Sequence, residues 1–182
     1  MPSATPVDLP DLWRRFLMDV DKALPVRVQL HCLDGFVLAV QHRHSRTTSD
    51  VDYIEVVPYD ANETLQGIAG PASPLARKHR LYLQHVGVAS LPESYVERLT
   101  ELLPGTFRNL SLLALDAHDL ALSKLARNHP VDREDIAYLA RMVPLRADVL
   151  RQRYREELRP IIIGDPEVHD HTLDMWIEAY MQ

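Results

Sequence analysis

Two aspartates one residue apart, Asp50 and Asp52, stand at the start of a β-branched apolar segment that ends at Pro58. The segment predicts a strand over residues 51–57, and side chains at positions i and i+2 of a strand point to the same face. Neighbouring carboxylates repel each other unless a cation lies between them. The pair is therefore typical either of a solvent-exposed strand end or of a divalent-cation site.

A glycine turn precedes this pair in the chain. Residues 26–33 alternate between apolar and polar side chains and predict a strand, and Asp34-Gly35 then predicts a turn. Residues 36–44 predict a short helix that leads to the strand of the aspartates. A strand, a turn, a helix and a second strand in this order bring the turn near the two carboxylates.

This combination suits chemistry on a nucleoside triphosphate. Carboxylates such as Asp50 and Asp52 hold Mg²⁺, which bridges phosphate oxygens, and a glycine at position 35 permits close approach of the backbone to phosphate. Arg46 and Thr48 lie just before the pair and would add phosphate contacts. The spacing alone also fits an ordinary surface strand, so both interpretations stay open.

The remaining pattern predicts an α+β fold with a short mixed sheet flanked by helices. A first helix is predicted over residues 8–24, with an apolar stripe of Leu12, Phe16, Leu17, Val20 and Leu24. Further elements up to residue 115 are one or two short helices within 60–78, a strand at 81–89, a helix at 92–103 and a strand at 107–115. Helices follow at 116–128, 133–143, 146–159 and 166–181. We therefore predict a core with an N-terminal helix over residues 1–115 and a helical part over residues 116–182.

A second set of charged residues lies in the helical part. Lys124 falls inside an apolar arc of its predicted helix, and the apolar stripe of the next helix passes through Asp132 and Asp135 when it is extended backward. A lysine that faces a core is costly unless it reaches a carboxylate, a phosphate or water. The three side chains are thus predicted to face inward, although an N-cap role for Asp132 and a snorkelling lysine are alternatives.

Composition narrows the class of protein. The 182 residues carry a net charge of −6, which provides no general electrostatic basis for nucleic-acid binding. Cys32 is the single cysteine, so no disulfide forms within the chain, and its apolar surroundings predict a core position. No apolar run is long enough to span a membrane, and the N-terminus lacks the pattern of a signal peptide. A cytoplasmic protein without membrane contact is expected.

The stretch LDGFVLAVQHRHSRTTSDVD resembles the signature of the DNA polymerase β-type nucleotidyltransferase superfamily, in which a glycine turn is followed by Asp-x-Asp. Fourteen residues separate Gly35 from Asp50. Arg46, Thr48, Asp50 and Asp52 match the Arg-x-Thr-x-Asp-x-Asp form, which is typical of small bacterial members that include AbiEii-type toxins.

A second block, LALDAHDLALSKLARNHPVDREDIAYL, extends the resemblance to about residues 28–140. Lys124, Asp132 and Asp135 fall on the positions of its pattern, a helix lysine followed by Asp-x-x-Asp. The resemblance implies that Lys124 neutralises charge on the triphosphate and that Asp132 or Asp135 positions Lys124 or assists the acceptor.

The resemblance implies a metal-dependent enzyme that moves a nucleotide from an NTP to an RNA or protein acceptor. Asp50 and Asp52 would hold Mg²⁺, and Gly35, Arg46 and Thr48 would line the phosphates. Its toxin members imply a role in a toxin-antitoxin system with an antitoxin partner.

Two departures from the signature favour a different function. Asp34 stands where the first glycine of the turn would be, and the predicted strand 81–89 offers Gln84 and His85 but no third carboxylate. The alternative is therefore a catalytically degraded protein that keeps the fold and acts as a binding or regulatory partner.

Overall fold

The computed structural model describes residues 9–45 and 47–181. These residues form two compact units. The first unit runs to Gly87 and resumes over Thr100–Ala114, and the second comprises Val88–Leu99 and the chain from Leu115 onward.

The first unit is a five-stranded mixed sheet with helices, so the predicted α+β class is confirmed. Its strands are β1 (Val28–Leu33), β2 (Asp50–Val57), β3 (Tyr82–His85), β4 (Thr100–Leu102) and β5 (Leu110–Ala114). Its helices are α1 (Asp11–Ala23), α2 (Asp34–His42), α3 (Asn62–Ala69) and α4 (Pro74–His79). The strand order is β3-β2-β1-β5-β4; β1 pairs with β2 and β4 with β5 in antiparallel fashion, while β2–β3 and β1–β5 are parallel.

The two faces of the sheet differ in polarity. Val51, Tyr53 and Val56 of β2 are buried on one face, where the Tyr53 hydroxyl donates to Asn62 Oδ1 at 2.7 Å and accepts from Gln66 Nε2 at 2.7 Å. Because Asn62 and Gln66 belong to α3, this helix covers the apolar face. The opposite face of β2 carries the half-buried aspartates.

Helix α1 is confirmed, but its apolar stripe begins one residue later than predicted. Leu12 is 52% exposed, whereas Trp13, Phe16 and Val20 are buried. Trp13 stands three and seven residues before Phe16 and Val20, and these intervals return to the same side of a helix. The assignment of Leu12 to the core was therefore wrong.

The predicted helix at 92–103 is also wrong in part. Only Tyr95–Arg98 forms a short 3₁₀ helix, and the following residues form β4, which pairs with β5. Pro104 cannot continue a helix, and Leu103 has a φ of 53°, so the chain turns immediately after Leu102. Pairing with the sheet edge supplies the backbone hydrogen bonds that a helix would otherwise have provided.

The second unit is helical and has its own core. Its helices are α5 (Ala117–Leu122), α6 (Pro130–Met142), α7 (Ala147–Arg153) and α8 (Pro166–Tyr180), and a π-helical turn over Tyr154–Leu158 follows α7. Buried residues from all four helices make up this core, among them Leu122, Ile136, Leu150 and Trp176. The four predicted helices are confirmed, but α5 ends at Leu122 and places Lys124 in the turn that follows.

None of the described helices is long and apolar enough to cross a membrane.

Candidate functional site

The two aspartates lie side by side on the polar face of β2. Asp50 and Asp52 are both half-buried, and Val51 between them is fully buried on the other face. In the parallel pairing with β3, Asp50 lies opposite Tyr82 and Asp52 lies opposite Gln84. The predicted placement of both carboxylates on one strand face is confirmed.

Two hydroxyl groups hold the Asp50 carboxylate. Thr48 Oγ1 donates a short hydrogen bond to Asp50 Oδ1, and the Tyr82 hydroxyl donates to Asp50 Oδ2 at 3.5 Å. Burial and the nearby charge of Asp50 raise the pKa of Tyr82, so its hydroxyl keeps its proton at neutral pH. Sequence reasoning missed Tyr82 because its position depends on the register between β2 and β3.

The predicted glycine turn is in fact the first turn of α2, which begins directly after β1. A Cβ added at Gly35 would meet Thr48 Oγ1 at 3.3 Å and Thr48 Cβ at 3.4 Å. Glycine therefore lets Thr48 lie against the backbone of α2 while it holds Asp50. Asp34 has a φ of 56°, the left-handed conformation that favours glycine and that aspartate tolerates better than most residues.

On the expectation from the sequence that Gly35 lines the phosphates of a nucleotide, replacing Gly35 with alanine should weaken nucleotide binding while leaving the fold intact. The added methyl group displaces Thr48 and thereby disturbs its hydrogen bond to Asp50. The loss of roughly one hydrogen bond would lower the affinity for the nucleotide about tenfold. Thermal unfolding and titration with each NTP and Mg²⁺ would measure the two effects.

Gly67→Ala is the matched control for this substitution. Gly67 also lies in a helix, and a Cβ there would meet no atom within 4 Å. The control should gain about 0.5–1 kcal/mol of stability with unchanged affinity. Equal affinities for Gly35→Ala and Gly67→Ala would contradict the role assigned to Gly35.

The metal site predicted from the sequence rests on Asp50 and Asp52. Arg46, which the sequence predicts as a phosphate ligand, lies outside the described residues. Among the described residues, no group of three or more histidine, cysteine, aspartate or glutamate side chains could hold a metal ion. Asp50 and Asp52 are nevertheless two carboxylates on one face. This donor set fits Mg²⁺, which proteins commonly bind through one or two carboxylates while water and substrate phosphates supply the other ligands.

The second unit brings Lys124, Asp132 and Asp135 together in its interior. Their exposed fractions are 1%, 0% and 1%, which confirms the prediction that all three face inward. Lys124 Nζ lies 3.1 Å from Asp135 Oδ2 and 3.7 Å from Asp132 Oδ1. The lysine is therefore paired with carboxylates of α6 and does not snorkel to solvent.

Asp132 also accepts hydrogen bonds at the N-terminus of α6. It accepts hydrogen bonds from Arg127 Nη2 at 2.6 Å and from the His129 backbone N–H at 2.9 Å. Burial alone would raise the pKa of Asp132, but these bonds and the charge of Lys124 outweigh it and lower the pKa. The alternative in which Asp132 is the N-cap is wrong, because His129 is the N-cap and Asp132 occupies the third helical position.

A second ion network in this unit was not predicted. Asp119 is fully buried and accepts from Arg98 Nε at 2.7 Å and from Arg153 Nη1 at 3.0 Å. Arg98 also donates to Glu157 Oε2 at 2.8 Å, and Arg153 donates to Asp116. The network joins the 3₁₀ helix to α5 and to the segment after α7. Its members come from four separate segments, so no spacing in the sequence indicates it.

Acid is expected to destabilise the second unit below about pH 4. Arg159 and Tyr154 lower the pKa of Asp170 to about 2. Burial alone would raise the pKa of Asp116, but hydrogen bonds at the start of α5 and the charge of Arg153 lower it. Because these folded-state pKa values are depressed, the ionised carboxylates stabilise the unit above the unfolded value of about 4, and this contribution is lost as the pH falls through the folded values.

The urea midpoint from far-ultraviolet circular dichroism should therefore fall between about pH 5 and pH 3. Asp170→Asn should remove part of this dependence, because its side chain cannot titrate. A midpoint that stays constant over this range would show that the carboxylates are not stabilised by their partners.

Residues 17–180 match the model of the family described as "Nucleotidyltransferase of unknown function (DUF6036)", and the chain belongs to this family. The resemblance to nucleotidyltransferases is confirmed at this level, whereas the closer likeness to AbiEii-type toxins stays a prediction. No curated protein and no solved structure matches the chain.

Proposed function

We propose that this nucleotidyltransferase transfers a nucleotide from an NTP to an acceptor with the help of Mg²⁺ bound by Asp50 and Asp52. The observation that carries the proposal is the pair of carboxylates on one face of β2, with Asp50 held by Thr48 and Tyr82. Asp50 and Asp52 would hold the ion, whose positive charge would offset the negative charge of the phosphate groups.

The start of α2 would receive the phosphates. Gly35 allows close approach there, and the first backbone N–H groups of a helix attract anions. Thr48 contacts both the start of α2 at Gly35 and the carboxylate of Asp50. A phosphate bound near Thr48 would therefore lie close to the helix start and to Asp50. Arg46, next to this segment in sequence, is proposed as a further phosphate ligand.

A cavity of about 550 Å³ beside Thr48 supports a place for the nucleoside. Trp13 and Val40 provide apolar lining, and Ser49, Arg80 and Thr48 provide polar groups. A nucleoside has flat apolar faces and polar edges, and this lining fits both. We therefore propose that the nucleoside of the donor occupies this cavity.

The acceptor is proposed to be an RNA end or a protein hydroxyl. Transfer to either acceptor would modify a cellular target. We therefore propose that the protein is a toxin and that an antitoxin partner restrains its activity. This part of the proposal rests on the sequence resemblance and not on a feature of the sheet.

Lys124, Asp132 and Asp135 keep their proposed catalytic roles only through the same resemblance. Their short contacts and near-complete burial support a second role as an ion cluster that stabilises the helical unit. Substitutions at these positions therefore need a stability measurement beside any activity measurement.

A catalytically degraded protein that binds or regulates a partner is the second candidate. Two observations favour it. The acidic Asp34 occupies the first turn of α2, where phosphate would lie, and Gln84 rather than a carboxylate lies opposite Asp52.

Incubation with each α-phosphate-labelled NTP and Mg²⁺ would distinguish the two candidates. A transfer RNA pool and the protein itself would serve as acceptors. The enzyme predicts covalent label on one of them, and nucleotide binding without label on any acceptor would favour the degraded protein.

A further inference from the structure

Strand β2 contains an irregularity just beyond the aspartates. In its pairing with β1, Tyr53 lies opposite Cys32, but the next pair is Glu55 with His31. Ile54 is therefore an extra residue on β2, which is a β-bulge. Bulges of this kind redirect the side chains that follow them.

The bulge turns Glu55 to the face of the aspartates. In a regular strand Glu55 would share the face of Tyr53, because side chains two residues apart point the same way. Directly opposite residues share a face, and His31 and Leu33 lie two residues apart on β1. Since Leu33 lies opposite Asp52, Glu55 and Asp52 lie on the same face.

Three acidic side chains therefore lie in a row along the polar face of β2. Asp50, Asp52 and Glu55 occupy successive same-face positions, roughly 7 Å apart along the strand. Thr48 and Gly35 lie at the Asp50 end, where the phosphates are proposed to bind. Glu55 lies at the other end, beyond Asp52.

His31 lies directly opposite Glu55 on β1 and is a buried histidine. His31 is 5% exposed, and burial lowers its pKa, while the charge of Glu55 partly raises it again. The other charged groups along this part of the face are Asp52, next on β2, and Glu101 on β4, which lies beyond Leu113 of β5 in the same row as His31. Glu55 is half-buried, so it is not enclosed in the core.

We propose that Glu55 is a further catalytic residue, the base that accepts the proton of the acceptor hydroxyl. The inference rests on the proposed nucleotidyl transfer. The acceptor oxygen forms a bond to the α-phosphorus, the bond from that phosphorus to the bridging oxygen breaks, pyrophosphate leaves, and the hydroxyl proton passes to the Glu55 carboxylate. The base thus lies on β2 itself, and the amide of Gln84 on β3 does not have to supply it.

The substitution Glu55→Gln tests this assignment because it keeps the shape of the side chain and removes the base. Transfer of label from α-labelled NTP should fall about 10²–10⁴-fold. Binding of the same NTP with Mg²⁺, measured by thermal shift, should equal that of the wild type. Glu63→Gln, at an exposed carboxylate of α3, is the matched control and should transfer label at the wild-type rate.

Side-chain NMR of the histidines provides a second readout that needs no acceptor. Loss of the Glu55 charge should lower the pKa of His31 further, because that charge now raises it. An unchanged His31 pKa in Glu55→Gln would show that the two side chains do not face each other, and it would overturn the proposal.

The outcomes separate this proposal from the one on which it rests. Wild-type transfer by Glu55→Gln would overturn the role of Glu55 and leave the proposed function standing. Absence of NTP binding by the wild-type protein would contradict the proposed function. It would also overturn the role of Glu55, which depends on that function. Binding without transfer to the RNA pool, to the protein or to water would also overturn the role, since Glu55 would have no acceptor to activate.

Discussion

Lys124→Met is expected to lower the free energy of unfolding by about 3–5 kcal/mol, the usual cost of leaving one member of a buried ion pair without its partner. Lys124 and Asp135 are each 1% exposed, and their charged atoms lie 3.1 Å apart. Methionine fills a similar volume but leaves the Asp135 carboxylate buried without the lysine charge. Urea denaturation followed by circular dichroism would measure the change.

A double variant separates the loss of charge from the loss of packing. In Lys124→Met/Asp135→Asn the carboxylate is removed together with the lysine, while Asp132 keeps its hydrogen bonds from Arg127. Most of the lost stability should therefore return, because a buried pair replaced as a whole costs far less than a broken one. Equal losses in the single and double variants would show that the ion pair does not determine the stability of this unit.

Lys22→Met is the matched control for this experiment. Lys22 is an exposed lysine in the last turn of α1. Its replacement should change the free energy of unfolding by no more than about 0.5 kcal/mol. A comparable loss for Lys22→Met would mean that burial is not the cause of the effect at position 124.

Replacing Asp52 or Asp50 with asparagine is expected to reduce nucleotidyl transfer by about 10³-fold or more. A metal ion that offsets charge at a phosphoryl centre contributes several kcal/mol to the transition state, and each 1.36 kcal/mol is about tenfold in rate. Asparagine keeps the size of the side chain but loses the charge that binds the cation. The rate of label transfer from α-labelled NTP would measure the loss.

Asp60→Asn is a suitable control for both variants, because Asp60 is an exposed carboxylate in the 3₁₀ helix after β2. It should transfer label at the wild-type rate. The fold of Asp50→Asn and Asp52→Asn should also be retained, since both side chains are half-buried on a polar face. Undiminished transfer by either variant would contradict the assignment of the metal ligands.

Local patterns in the sequence were sufficient to predict the aspartate pair and most helices. Side-chain alternation along a strand places Asp50 and Asp52 on one face, whichever strands it pairs with. The apolar stripe of α6 likewise predicts that Asp132 and Asp135 face inward, whichever helices pack against it. These predictions depend on the period of one element alone, and the structure agrees with them.

The features that sequence reasoning missed depend on pairing between distant segments. Tyr82 reaches Asp50 only because β3 pairs with β2 in one particular register, and β4 is a strand only because the edge of β5 is open to it. The bulge at Ile54 reverses the expected direction of Glu55, and a single sequence contains no signal for it. Such features follow from tertiary hydrogen bonding, which overrides local preference.

The most direct test of a nucleotide site at the two aspartates is a thermal-shift titration of the protein with each NTP, with and without Mg²⁺, beside the double variant Asp50→Asn/Asp52→Asn. At a ligand concentration of about 100 times Kd, the melting temperature should rise by roughly 5–10 °C. We expect this rise to require both Mg²⁺ and the two aspartates. A rise of equal size in the double variant, or no rise with any of the four nucleotides, would contradict a nucleotide site at Asp50 and Asp52.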